Sequence, residues 1–326
     1  MESLSHTLLF SWLADVKSNP FQYQGKTLSK HREETADGYV TRLRCVYQSP
    51  NQQAALSVAI GQLNQDLSLA IIERDTGLLC VEVCCDSPLS LTQLQLISSV
   101  EGVETFAISN KQARLNQPGL LVMDMDSTAI EIECIDELAV MAGVGDAVAE
   151  VTERAMQGEL DFEESLRARV AQLKGADEAI IQTLCNELPL MPGLVESVNV
   201  LQSYGWKLVV ASGGFTPFVG HLKQLLGLDA AFANELVIEN GTLSGTVSGQ
   251  VVDAQFKADT VLKCAKEWGI AEGQRLAIGD GANDIPMIET ADYGIAYHPK
   301  PKLEQAADVA ISKLNLKALP FLLVLD

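Results

Sequence analysis

The sequence predicts an α/β protein in two parts: a parallel-sheet core carrying an inserted helical subdomain and, ahead of it, a small α+β domain. Three observations predict it. The chain has 326 residues, enough for two domains at roughly 150 residues each. Its texture changes near Asn116-Gln117-Pro118-Gly119, where a polar stretch and a Pro-Gly breaker precede the apolar run Leu120-Leu121-Val122-Met123. Beyond that point short apolar runs alternate with helix-like stretches, the pattern of a parallel sheet with helices on both faces.

Within residues 1–116, Leu67 to Ile72 and Leu78 to Cys85 read as strands separated by Asp75-Thr76-Gly77, a hairpin-type turn. Leu91 to Val100 reads as a helix and Val103 to Ile108 as a further strand. Antiparallel strands mixed with one or two helices suggest an α+β unit of ferredoxin-like or ACT-like type, a candidate regulatory module. Residues 10–60 carry no clear pattern.

Within residues 117–326 the strand-like runs are Leu120 to Met123, Lys207 to Ala211, Phe232 to Asn234, Arg275 to Ile278 and Gly294 to Ala296. The first two are separated by far more chain than one crossover needs. The excess is rich in Ala, Glu, Leu and Val at helical spacing, which predicts an inserted helical cap at about 135–189. Val237 to Leu243, with its Asn240-Gly241 turn, reads as a β-hairpin. The expected fold is a Rossmann-like parallel sheet core with an inserted helical cap, plus a small N-terminal α+β domain.

Composition narrows the function. A hydrophobic fraction of 47% suits a globular chain. Forty-three acidic against 23 basic residues give a net charge of −20, which disfavours nonspecific nucleic-acid binding and requires local positive charge for any anionic substrate. The longest apolar run, Ala318 to Leu325, falls well short of the ~20 residues of a spanning helix, so no membrane span is expected. Met1 to His6 has an acidic second residue and no basic stretch ahead of an apolar core, unlike a secretory signal, so the cytoplasm is expected. The seven cysteines (Cys45, Cys80, Cys84, Cys85, Cys134, Cys185, Cys264) are scattered and odd in number, and read as reduced thiols. Cys80, Cys84 and Cys85 have no partner pair or histidine nearby in sequence, so burial is a better reading than zinc. His6, His31, His221 and His298 are far apart, and no catalytic role is expected of them.

In open α/β sheets ligands bind beyond the carboxyl ends of the strands. Those positions are polar here: Asp124-Met125-Asp126-Ser127-Thr128 after the first run, Ser212-Gly213-Gly214 after the second, Gly279-Asp280-Gly281-Ala282-Asn283-Asp284 after the fourth. Four carboxylates converging on one crevice repel each other, and a hard cation such as Mg²⁺ would hold them together. Asp124 is then a candidate nucleophile and Asp126 a candidate acid and base. The Ser212-Gly213-Gly214 turn, read as opening a helix, suits a phosphate, with Lys257 as the missing positive charge.

These residues resemble the four ordered motifs of the haloacid dehalogenase superfamily. The likeness extends to its phosphoserine phosphatase family through the insertion, in Glu133, Ile135-Asp136-Glu137, Ala155-Met156-Gln157-Gly158, Phe162 and Ser165 to Val170, and covers roughly residues 117–315. The resemblance implies Mg²⁺-dependent hydrolysis of O-phospho-L-serine through an aspartyl-phosphate, the last step of serine biosynthesis. It implies that Asp124 attacks phosphorus and that Asp126 protonates the leaving oxygen and later activates water. Mg²⁺ would be held by the Asp124 carboxylate, the Asp126 backbone carbonyl and Asp280, with Asp284 in support. Ser212, Gly213 and Lys257 would hold the phosphoryl oxygens with Asn283 nearby. Glu133 would meet the substrate ammonium and Arg169 its carboxylate, with Met156 and Phe162 walling the pocket. The implied partner is a small-molecule phosphomonoester, with no nucleic acid and no membrane; the oligomeric state stays open, a homodimer being one option.

Blander readings stand beside these. A lone Asp-x-Asp is common in acidic loops, and a Ser-Gly-Gly turn is usually only a turn; four elements in order at successive strand ends reverse those odds. Arg169 could belong to a solvated helix face with Glu163, Glu164 and Arg167, and Met156 and Phe162 to the core of the cap. Two other functions compete: an amino-acid sensor whose phosphatase fold is subordinate, and a phosphotransferase using an acceptor other than water. Because every motif residue lies after Gly119, the upstream segment is expected to be dispensable for chemistry.

Overall fold

The computed structural model describes residues 7–15, 20–23, 25–109 and 112–325; His6 lies outside them. The chain divides into two compact units, and a single cut near residue 116 does not describe the division. One unit joins Met1–Gln117 with Val195–Tyr204 and Ile311–Asp326, and the other comprises Pro118–Leu194 and Gly205–Ala310.

The first unit contains α1 (Thr7–Ala14), β1 (Phe21–Tyr23), β2 (Lys26–Lys30), β3 (Thr41–Tyr47), α2 (Gln52–Gly61), β4 (Leu67–Ile71), β5 (Leu79–Cys85), α3 (Leu91–Ser98) and β6 (Val103–Ala107). Its sheet runs β1-β2-β4-β5-β3-β6, with β2 and β4 parallel and every other neighbouring pair antiparallel. The succession β3-α2-β4-β5-α3-β6 in that spatial order is the ferredoxin-like split βαβ arrangement. Serine makes a clean start for α3: the Ser90 hydroxyl accepts from the Gln93 amide at 3.3 Å, and the Gln93 side chain accepts from the Ser90 amide at 2.9 Å. Leu28, Leu56, Ile60, Leu69, Val83 and Ile97 are fully buried in one core, each contributing about 1.5–3 kcal/mol by leaving water.

Buried charge tethers the C-terminal segment to this unit. Arg44, without exposed surface, donates to Glu82 (2.9 Å), Glu33 (2.6 Å) and the carbonyls of Phe321 (2.7 Å) and Leu323 (2.5 Å). Arg74 donates to Glu33 and to the carbonyls of Pro320 and Leu323. A chain begun at Gln117 would keep residues 311–326 without these partners and uncover the buried side chains of Phe321, Leu322 and Leu323. The upstream segment therefore supplies the partners of the C-terminal segment, while every motif residue still lies after Gly119.

The sheet also brings together residues that sequence distance keeps apart. His31 Nε2 lies 3.0 Å from Glu82 Oε1 and 3.6 Å from Cys84 Sγ, so His31 and Cys84 do have ligand-type neighbours. The set nonetheless suits an ion-pair network better than a cation, because guanidiniums of Arg42 and Arg44 already occupy Glu82 and burial raises the Cys84 thiol. Burial would raise the Glu82 carboxyl, but hydrogen bonding from His31 and the charges of Arg44 and Arg42 hold it down at about 2. A depressed carboxyl stabilises the fold above its unfolded value and loses that contribution as pH falls through its folded value, here a contribution of about 3 kcal/mol. Glu82→Gln is therefore expected to melt lower than wild type at pH 7, with the gap narrowing from about pH 4.5 towards pH 2. A gap independent of pH in thermal melts would contradict this.

The second unit begins with β7 (Leu120–Met123), followed by the cap helices α4 (Cys134–Met141), α5 (Gly145–Met156), α6 (Phe162–Gln172) and α7 (Ala179–Asn186). The chain then passes through α8 (Leu194–Ser203), most of which belongs to the first unit, where the Ser197 hydroxyl donates to the Leu316 carbonyl at 2.5 Å. It returns with β8 (Lys207–Phe215), α9 (Thr216–Leu226), β9 (Ala230–Glu239), β10 (Thr242–Ser248), α10 (Ala254–Trp268), β11 (Arg275–Gly279), α11 (Ile285–Thr290), β12 (Tyr293–Tyr297), α12 (Pro301–Ala306) and β13 (Val309–Ile311). The sheet order is β10-β9-β8-β7-β11-β12-β13, parallel from β9 to β12. All five strand-like runs and the β9–β10 hairpin lie where the sequence puts them. Val122, Val209 and Ala277 on adjacent strands are fully buried against Val261 of α10 and Met287 of α11. Successive strands from β7 run one way through β8 and β9 and the other way through β11 and β12, so the topological switch point lies at the carboxyl end of β7. No helix among the described residues is long and apolar enough to cross a membrane.

Candidate active site

At that switch point lies a cavity of about 270 Å³. It is lined by Asp124 and Asp126 from beyond β7, Gly213 from β8, Lys257 from α10, Asp280 and Asn283 from beyond β11, and Glu133, Phe162 and Arg169 from the cap. A larger cavity, about 730 Å³, lies in the first unit and contains none of the motif residues.

Lys257 is the centre of charge. Asp253 caps α10 by accepting from the Phe256 amide at 2.8 Å, which places Lys257 in the first turn, fully buried beneath the cavity. Its Nζ lies 2.7 Å from Asp124 Oδ1 and 2.8 Å from Asp284 Oδ1. Burial works against its charge, yet the two carboxylates outweigh burial and hold the ammonium firmly protonated. One cation cannot neutralise two carboxylates. Burial and the nearby Asp284 accordingly push the Asp124 carboxyl well above its usual range, against the pull of Lys257.

Asp284 has its capacity filled. Its Oδ2 accepts from the amides of Asp280 and Gly281, both at 3.1 Å. A side chain on Gly279 would collide with it, which is why that strand end is glycine. Asp280 opens to the cavity, and burial raises its carboxyl too. One oxygen each from Asp124, Asp280 and Asp284 lie within 4.8 Å of one another. Three carboxylates at that spacing, two of them sharing one buried lysine, fit a hard divalent cation, which would favour the ionised form of Asp124. Asp284, saturated with donors, fits a supporting place.

Asp126 sits higher in the cavity. Its Oδ1 accepts from the Cys134 amide at the start of α4 at 3.1 Å, and its Oδ2 would stand 3.0 Å from a Cβ on Gly214. Only glycine lets the two approach so closely. Burial, then repulsion from Glu133, raises the Asp126 carboxyl to about 7. Between them the chain turns through Ser127, in the left-handed region at φ 56, with its hydroxyl donating to Glu133 Oε1 at 2.9 Å.

The Ser212-Gly213-Gly214 segment differs from the expected turn. It stays extended within β8 across a register irregularity, and the helix begins only at Thr216. Ser212 is buried and absent from the cavity lining; its hydroxyl accepts from the Gly214 amide at 2.9 Å. Buried Asn234 holds this segment in place, donating to the Gly213 carbonyl at 2.7 Å and accepting from the Val252 amide at 2.8 Å. Sequence reading missed Asn234, although it ends a recognised strand. Lys300, beyond β12, also lines the cavity, and a lone lysine after a strand carries no motif that marks it.

Phe162, Leu166 and Arg169 reach the cavity from α6, whose start is fixed by Asp161 and Glu164 capping each other's amides. The Phe162 ring would lie 2.9 Å from a Cβ on Gly213, so the cap closes directly on the glycine segment. Arg169 forms no ion pair among the described residues; its Nε approaches the Ser165 carbonyl at 3.4 Å, and burial lowers its guanidinium. Met156 is the exception. At the end of α5 it is 84% exposed and does not line the cavity, contrary to the expected wall.

Known proteins resemble this chain closely. A phosphoserine phosphatase from Haemophilus influenzae is 56% identical over 210 residues, 64% of this chain and 67% of the relative. One from Vibrio cholerae is 56% identical over 197 residues, 60% of each; the matched region thus spans between three fifths and about two thirds of these relatives' lengths. Among solved structures, a probable phosphoserine phosphatase from Vibrio cholerae matches 98% of this chain and 93% of its own with a TM-score of 0.76 at 40% identity. A phosphoserine phosphatase solved as a phospho-aspartyl intermediate analogue matches 63% of this chain and 99% of its own, with a TM-score of 0.59 at 39% identity. The haloacid dehalogenase-like hydrolase model matches residues 119–292, more than half of the sequence and all of the motif strands, and the chain belongs to that family.

Proposed function

We propose that this chain hydrolyses O-phospho-L-serine to L-serine and phosphate through an aspartyl-phosphate on Asp124, in the cytoplasm and with Mg²⁺ as its cation. The observation that carries this reading is the composition of one small cavity, where Asp124, Asp126, Lys257 and Asp280 meet Glu133 and Arg169 from the cap. The first four suit phosphoryl transfer; the last two match the ammonium and carboxylate of an amino acid. Seven free, buried cysteines suit a reducing compartment.

Lys257 and the Met125 amide both donate to Asp124 Oδ1 at 2.7 Å, which leaves Oδ2 to attack phosphorus. As that bond forms, the bond from phosphorus to the serine oxygen breaks, and Asp126 gives its proton to that oxygen. An acid near 7 is suited to this. Asp126, now a carboxylate, takes a proton from water as the water oxygen attacks the acyl phosphate, releasing phosphate and regenerating Asp124. Mg²⁺ held by Asp124, Asp280 and the Asp126 carbonyl, with Asp284 behind, would supply charge stabilisation at the phosphoryl oxygens. Gly213 and Lys257 bind those oxygens, with Asn283 beside them and Ser212 bracing the segment. Phe162 closes the cavity against water. The expected result of a phosphate-release assay is strong preference for phosphoserine over simple phosphomonoesters, dependent on Mg²⁺; equal rates across the panel would overturn the substrate assignment.

Asn234 supports the anion-binding segment without touching the substrate. Asn234→Leu would orphan the Gly213 carbonyl and the Val252 amide. Competitive inhibition by inorganic phosphate is expected to weaken roughly 10-fold, the equivalent of about 1.4 kcal/mol. An unchanged inhibition constant would show that the segment holds its shape unaided.

A further inference from the structure

Three strand ends supply the motifs, but the cavity has a fourth wall. Beyond β12 the chain runs Tyr297-His298-Pro299-Lys300, and Lys300 Nζ lies 3.1 Å from Asp280 Oδ2. The Lys300 amide donates to the Asp280 backbone carbonyl at 3.0 Å. Pro299 and Pro301 flank the residue and restrict its backbone, which is extended at the entrance to α12. The base of this lysine is thus fastened to Asp280, while its side chain is 67% exposed and able to swing. The other two cations of the cavity are placed differently: Lys257 is locked beneath it between Asp124 and Asp284, and Arg169 comes from the cap.

We infer that Lys300 is an exchangeable counter-ion, paired with Asp280 when the site is empty and transferred to the anionic group of the bound ligand once a divalent cation takes Asp280. This rests on the reading of the cavity as a cation-dependent phosphomonoesterase site. An ammonium and a divalent cation compete for the same carboxylate, so Lys300 opposes cation binding in the absence of an anion. The pair is open to solvent on the lysine side, so the ammonium can leave it for water or another anion. A phosphoryl dianion in the cavity that Lys300 itself lines then offers the ammonium a partner of higher charge. Cation and anion binding become coupled, and the coupling is reciprocal.

Calorimetric titration of Mg²⁺ into the full chain, with and without saturating inorganic phosphate, tests this on wild type, Lys300→Met and Lys300→Arg. Without phosphate, Lys300→Met is expected to bind Mg²⁺ about 3- to 10-fold more tightly, because one nearby positive charge has been removed under moderate screening. The gain in Mg²⁺ affinity that phosphate brings is expected to shrink by a similar factor, and Lys300→Arg to behave as wild type. Equal or weaker Mg²⁺ binding by Lys300→Met in the absence of phosphate would overturn the inference, as would an undiminished effect of phosphate. Neither measurement requires turnover. A wild type that binds Mg²⁺ and phosphate but leaves phosphoserine intact would sink the proposed substrate and leave the Lys300 result readable.

Discussion

Asp124→Asn is expected to lower kcat for phosphoserine by roughly 10⁴-fold or more while leaving the melting temperature equal to or above that of wild type. The amide keeps the shape of the carboxylate and can still accept from Lys257 and the Met125 amide, but it cannot form an acyl phosphate. Stability should not suffer, because the carboxylate is one of two that compete for a single buried lysine. Replacing it removes a charge that burial penalises. The two readouts therefore separate chemistry from folding. A large fall in melting temperature would mean that the Lys257–Asp124 pair is structural, and retained turnover would end the covalent mechanism.

Arg169→Ala is expected to divide substrates. In a cavity lined by four carboxylates, the substrate's own carboxylate is repelled unless a guanidinium meets it with paired hydrogen bonds. Among the described residues Arg169 has no ion pair to break before doing so. Losing such a desolvated pair costs about 2–5 kcal/mol, so kcat/KM for phosphoserine should fall by roughly 30-fold to several thousand-fold. An aryl phosphate without the carboxylate should lose only what altered packing of α6 accounts for. Equal losses on both substrates would make Arg169 a residue that shapes or closes the cap, and the choice of phosphoserine would lose its structural support.

The parallel strands were legible because each is a short apolar run, and the polar residues after them stand out for the same reason. Strand β3 was not. Its sequence Thr41-Arg42-Leu43-Arg44-Cys45-Val46-Tyr47 puts two arginines on a buried face, and a charge buried by pairing with Glu82 on the neighbouring strand looks, in sequence, like a solvent-facing residue. The same network hid the allegiance of the C-terminal segment. Leu316 to Val324 follow the last strand of the second unit directly, yet Arg44 and Arg74 tie them to the first. Such partners are more than two hundred residues away, beyond the reach of any local pattern. In the site, Asp124, Asp126, Lys257 and Asp280 could be read because the chemistry demands those residue types at strand ends. Asn234 and Lys300 act through geometry, one bracing a backbone and one leaning on a carboxylate, and a lone asparagine or lysine in sequence advertises neither. Met156 failed in the opposite way: a family motif specifies its neighbours in sequence, whereas whether the side chain turns towards the cavity depends on where α5 ends.

The most direct measurement is a rapid acid quench of the wild-type chain with phosphoserine labelled in its phosphoryl group and Mg²⁺, followed by digestion and identification of the labelled peptide. The account predicts a hydroxylamine-sensitive phosphoryl group on Asp124, lost on a chase with unlabelled phosphoserine as phosphate is released, and no label in Asp124→Asn. Release of phosphate with no label on the protein, or a label on any other residue, would contradict it.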